Sequence, residues 1–69
     1  MAKGILTPRE KSIFEELIKN KTTKEIAHKF NISEKTVRNH ISNTMQKLGV
    51  KGRAACVVEL LKLKELSLD

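Results

Sequence analysis

The amino-acid sequence predicts an all-α fold of four short helices forming one domain over residues 1–69. Three observations lead there. Gly and Pro are scarce, at three and one. No segment is repetitive or low in complexity, so the turns must be short. Capping residues precede segments whose apolar positions recur at helical spacing. A chain of 69 residues buries only about 60% of its unfolded surface. It has no room for a cofactor-binding enzyme, so neither catalytic residues nor a cofactor are expected.

The first helix, over about residues 8–20, opens at Thr7-Pro8-Arg9-Glu10: Thr caps, Pro takes the first helical position and Glu10 completes a capping box. Ile13, Phe14, Leu17 and Ile18 form its core stripe. A second Thr-to-Glu box at Thr22 and Glu25 opens a short helix, residues 23–30, with Ile26, Ala27 and Phe30 inward. Asn31-Ile32-Ser33 is a connection with a turn former at its head and a cap at its tail. Two helices joined this closely are a helix-turn-helix signature. The third helix runs over 34–48 and stops at Gly49. Gly52 precedes a fourth, over 53–64, and residues 1–5 and 65–69 are expected to fray.

Charge is distributed unevenly. The net charge of +6 lies wholly between residues 21 and 53, where eight basic side chains meet two acidic ones. That concentration points to a polyanion-binding surface. Aromatic residues are 3% of the chain, too few for a base-stacking platform on single-stranded nucleic acid. The lone Cys56 cannot form an internal disulfide, which fits a reducing, cytoplasmic compartment. The longest apolar run, Ala54–Val58, is too short for a membrane span or signal sequence. His28, His40 and Cys56 lack paired metal-ligand spacing, so no metal site is expected. The only Asp is Asp69, which excludes a triad with a buried orienting Asp.

Successive 100° steps around the third helix place Val37, Ile41, Thr44, Met45 and Leu48 on one face. Opposite lie Lys35, Arg38, Asn39, Ser42, Asn43 and Gln46. Arg pairs with guanine, Asn and Gln with adenine, and Ser with either. Thr36, His40 and Lys47 lie between the faces and suit phosphate contact. A merely solvated helix face is polar too, but it usually mixes Glu with Lys. Here no acidic residue follows Glu34 until Glu59, so the face repels itself without an anion. The amino end of the second helix, at Thr22, Thr23 and Lys24, also offers backbone amides and a positive dipole end to a phosphate.

The fourth helix is apolar around more than half its circumference. One stripe is Cys56, Val57, Leu60 and Leu63; the other is Ala54, Val58 and Leu61. One should pack on the domain and the other on a partner, unless loops and termini cover both. A dimer would bring two reading helices onto one face of DNA, a turn apart.

Leu6-Thr7-Pro8-Arg9-Glu10, Thr23-Lys24-Glu25-Ile26-Ala27, Ile32 to His40, and Lys47-Leu48-Gly49-Val50 with Arg53 resemble the LuxR/GerE-type helix-turn-helix family over Leu6 to Leu63. Within that family the chain is most similar to the stand-alone regulators of late sporulation. The resemblance implies a homodimeric regulator of transcription that joins through the fourth helix and lays the third in the major groove of a two-fold symmetric site. It implies base reading by Arg38, Asn39 and Ser42, with Lys35 and Asn43 beside them. Backbone contacts are implied at Thr23, Lys24, Thr36, Lys47 and Arg53. A small residue usually stands at Cys56 in the family, which makes that stripe core and leaves Ala54, Val58 and Leu61 for the dimer. Many members have Gly where Lys21 stands, and many carry a receiver or ligand-binding domain upstream. If the chain is complete, its activity follows its own abundance. RNA polymerase is the implied protein partner, and control of spore coat genes the implied role. A promoter-recognition fragment like the last region of a sigma factor, and a basic adaptor for an acidic protein, are the alternatives.

Overall fold

The computed structural model describes residues 6–67 and contains four helices with no strand among those residues. They are α1 (Pro8–Leu17), α2 (Thr23–Phe30), α3 (Glu34–Leu48) and α4 (Arg53–Lys62). All four start where the sequence places them. At α1 the Thr7 N–H donates to Glu10 Oε1 (3.0 Å) and the Glu10 N–H donates to Thr7 Oγ1 (3.1 Å). Thr22 and Glu25 repeat the box at α2, at 2.8 and 3.1 Å. Ser33 Oγ accepts the Thr36 N–H at 3.0 Å to open α3. Each box satisfies two amides that a helix start leaves orphaned. Gly52 opens α4 with no side-chain cap, in an extended left-handed conformation (φ 92°, ψ 149°).

The four helix ends share one geometry. A single residue turns left-handed at each: Asn20, Asn31, Gly49 and Lys64, with φ of 68°, 56°, 66° and 62°. The next amide then donates to the carbonyl five residues back: Lys21 to Glu16, Ile32 to Ala27, Val50 to Met45 and Glu65 to Leu60, at 2.9–3.2 Å. This is the Schellman arrangement, which satisfies carbonyls the last turn would otherwise strand. Two expected ends are corrected by it. The first helix does not run to residue 20 nor the fourth to 64, because the backbone reverses its twist at Asn20 and Lys64. Asn20 makes the first of these turns, so Lys21 is not called on for a positive φ.

Helix α3 packs against each of the other three. Val37, Ile41 and Thr44 on its inner face are buried at 2% exposure or less. They meet Ile13 and Phe14 of α1, Ile26 and Ala27 of α2, and Cys56 and Leu60 of α4 in one cluster. Met45, Leu48 and Phe30 pack partly buried against it. The Thr44 hydroxyl donates to the His40 carbonyl at 2.9 Å, so its burial strands no polar group. Leu63, expected on the core stripe, is instead 44% exposed, and Leu66 occupies the core at 6%. The left-handed Lys64 folds the tail back and exchanges the two leucines. Of the ends expected to fray, residues 1–5 and 68–69 lie outside the described residues, while Leu66 is held by this burial and by the Leu60 carbonyl.

Two buried glutamates on α1 tie it to its neighbours. Glu16 accepts Lys29 Nζ of α2 at 3.0 Å, with Lys19 at 3.6 Å. Glu10 accepts Lys47 Nζ of α3 at 2.6 Å. The Arg9 guanidinium covers the half-buried Phe30 ring at 4.7 Å, a cation–π contact that seals the α1–α2 edge.

Candidate nucleic-acid interface

The periodicity that buries Val37, Ile41 and Thr44 forces the remaining α3 positions outward. Lys35, Arg38, Asn39, Ser42, Asn43 and Gln46 are all exposed. They form a row of donors and acceptors of moderate reach along a 15-residue helix. Such a helix is about 22 Å long at 1.5 Å per residue, and its diameter of about 10–12 Å fits the roughly 12 Å width of a major groove. Among the described residues Arg38 is the only member in an ion pair, 3.7 Å from Glu34 one turn earlier, and both side chains stay about half exposed. A pair that open is worth little and yields readily to a base edge.

The flanking residues divide into those available to a phosphate and those already engaged. Lys24 and Arg53 are exposed at the first turns of α2 and α4. Thr23 and Thr36 are half-buried, and the Thr36 hydroxyl lies 2.9 Å from that of Ser33. Thr22 is exposed, but its hydroxyl and amide both serve the capping box, which leaves the amides of Thr23 and Lys24 as the outward-facing donors of that helix start. The Thr22 N–H holds the Glu25 carboxyl below its usual range. His40 is half-buried.

Lys47 has a partner that sequence reasoning missed. Its ammonium is bound to the Glu10 carboxylate, whose side chain is only 4% exposed. Burial is the largest single influence on that carboxyl and pushes its pKa up. The Lys47 and Thr7 hydrogen bonds, with the charges of Lys47 and His40, outweigh burial and hold the pKa below its ordinary value. The capping box already named Glu10. Nothing local to the chain indicated that the same carboxylate also reaches a residue 37 positions away.

On α4, Ala54 is exposed and Val58 is 51% exposed, while Leu61 is half-buried and packs against the core. The face expected for a partner is therefore open at two positions and shared at the third. The described residues hold no group of three or more His, Cys, Asp and Glu side chains placed for a metal. No helix among them is long and apolar enough to cross a membrane.

Comparison with known proteins places these features. The family described as bacterial regulatory proteins, luxR family (GerE) matches residues 4–60. The chain is 66% identical to the spore germination protein GerE of Bacillus subtilis (strain 168), over 97% of this chain and 90% of that protein. It is 41% identical to the nitrate/nitrite response regulator protein NarP of Escherichia coli (strain K12), over 86% of this chain but 27% of that longer protein. A solved structure of the transcription factor GerE superposes with a TM-score of 0.94 at 58% identity, covering 97% of this chain and all of that one.

Proposed function

The chain belongs to the luxR family of bacterial regulatory proteins, and on that premise we propose that it grips DNA as a homodimer, each subunit laying α3 in a major groove. It is a DNA-binding transcriptional regulator of the sporulation type, similar over nearly its whole length to GerE. The family is one of transcription regulators, which is not an enzyme class.

One observation carries the mechanism: a single helix buries Val37, Ile41 and Thr44 on one face and turns a row of hydrogen-bonding side chains to solvent on the other. Arg38, Asn39 and Ser42 read base edges from the middle of that row, with Lys35 and Asn43 beside them. Lys24, Arg53, Thr23, Thr36 and His40 hold the phosphates on either side, aided by the α2 amides. Thr22 serves this contact through its cap. Ala54 and Val58, with the outer edge of Leu61, form the subunit contact, which sets the two α3 helices one DNA turn apart. Double-stranded DNA with two-fold symmetry and RNA polymerase are the partners. The setting is the cytoplasm of a sporulating mother cell, where spore coat genes are the targets.

Selection of bound duplexes from a random pool tests this. A palindrome with half-sites about 10 base pairs apart, centre to centre, is the expected product. An enriched site lacking two-fold symmetry would remove the dimer, and no enrichment would remove base reading by α3.

A further inference from the structure

The buried pair between Glu10 and Lys47 sits at the junction of the scaffold and the reading helix. The Glu10 carboxylate is almost entirely removed from water, whereas the Lys47 side chain is 36% exposed. One oxygen, Oε1, accepts both the Thr7 N–H at 3.0 Å and the Lys47 ammonium at 2.6 Å. The anion is thus fixed to the start of α1, and the cation is fixed to the anion.

We propose that Glu10 is an internal counter-ion for the DNA interface: it positions the Lys47 head and neutralises it, so that Lys47 meets a phosphate as an aimed hydrogen-bond donor without adding net positive charge. The inference rests on the reading of α3 as the DNA-facing helix. Affinity for DNA falls with salt because each cation that neutralises a phosphate displaces condensed counterions, with a log-log slope of about −0.9 per phosphate. Lys24 and Arg53, with no acidic partner among the described residues, contribute fully to that slope. Lys47 approaches the phosphate already balanced and contributes almost nothing. Glu10 is accordingly a positioning residue that lowers the salt sensitivity of binding.

The test is Glu10→Gln in the full chain, titrated against a labelled random-sequence duplex across a range of salt. The Gln carbonyl oxygen can still accept from Thr7 and Lys47, so geometry is kept and only the charge is lost. The slope should steepen by about 0.9, which is about 3.5-fold more affinity lost between about 50 and 200 mM salt. Equal slopes for the variant and the wild type, or a uniform loss of affinity at all salts, would overturn the proposal. The double variant Glu10→Gln with Lys47→Gln removes both charges and does not depend on burying a lone cation. It should keep the wild-type slope, and a slope shallower by about 0.9 would overturn the proposal. Lys24→Gln separates the two levels. If wild-type binding responds to salt and Lys24→Gln flattens that response, the DNA reading stands whatever Glu10→Gln does; if wild-type binding ignores salt, that reading itself fails.

Discussion

Replacing Gly52 with Ala should destabilise the domain by about 1–2 kcal/mol for a purely torsional reason. A Cβ built at Gly52 meets no atom within 4 Å, and the same holds at Gly49. The two glycines differ in backbone. Gly49 has φ 66° and ψ 31°, the left-handed helical region, where Asn is tolerated. Gly52 has φ 92° and ψ 149°, close to a region that is essentially reserved for Gly and costs other residues about 1–3 kcal/mol. A stiffer unfolded chain returns about 0.4–1 kcal/mol of that. Against a total stability of about 3–10 kcal/mol for a domain this size, the net loss is large. Urea unfolding followed by helical circular dichroism measures it, provided the slope with denaturant is unchanged. Gly49→Asn should be nearly neutral, and Gly52→Asn as damaging as Gly52→Ala. A Gly52→Asn protein as stable as the wild type would refute the torsional argument.

Lys64 is a non-glycine residue in the left-handed region, so Lys64→Gly should raise stability by about 0.5–1 kcal/mol in the same assay. Asn39→Ala should cost about 1–3 kcal/mol on a selected site and little on random DNA, whereas Lys24→Ala should weaken both alike and flatten the salt slope by about 0.9; competition titrations separate these patterns. Val58→Asp should leave a folded monomer by sedimentation, since Val58 is 51% exposed whereas Leu61 shares in the core; a surviving dimer would place the interface elsewhere. Glu16 is held below its ordinary pKa by the Lys29 hydrogen bond, and Glu10 by the Lys47 bond once burial is outweighed. A lowered native pKa means stability that is complete above the unfolded carboxyl pKa and is lost as pH falls through the native one. Urea midpoints should therefore fall on acidification below about pH 4.3, and less steeply in Glu16→Gln.

Helix starts were legible because caps are local: Thr7 with Glu10, Thr22 with Glu25, and Ser33 with Thr36 lie within one turn of each other. Helix ends were legible at Asn31 and Gly49, where a turn former announced the left-handed residue. Asn20 and Lys64 make the same turn with residues that do not advertise it, so the apolar periodicity carried the first and fourth helices too far and put Leu63 where Leu66 belongs. The outward row of α3 followed from its inward one, as 3.6-residue periodicity requires. The Glu10 contact with Lys47 did not, because these residues, 37 positions apart, are brought together only once α1 and α3 have packed.

Helix α3 separates two kinds of information by residue position. Val37, Ile41 and Thr44 specify the fold, while Arg38, Asn39, Ser42 and Asn43 are exposed and are not members of the core cluster. Changes on the outer row therefore cost little stability, typically within about 0.5 kcal/mol at exposed sites. A domain built this way can exchange one operator preference for another by drift or by library selection without first acquiring stabilising substitutions elsewhere. The α4 surface lacks that freedom at Leu61, where a change at the proposed subunit contact also disturbs the core. New binding sites are accordingly more accessible to this scaffold than new partners.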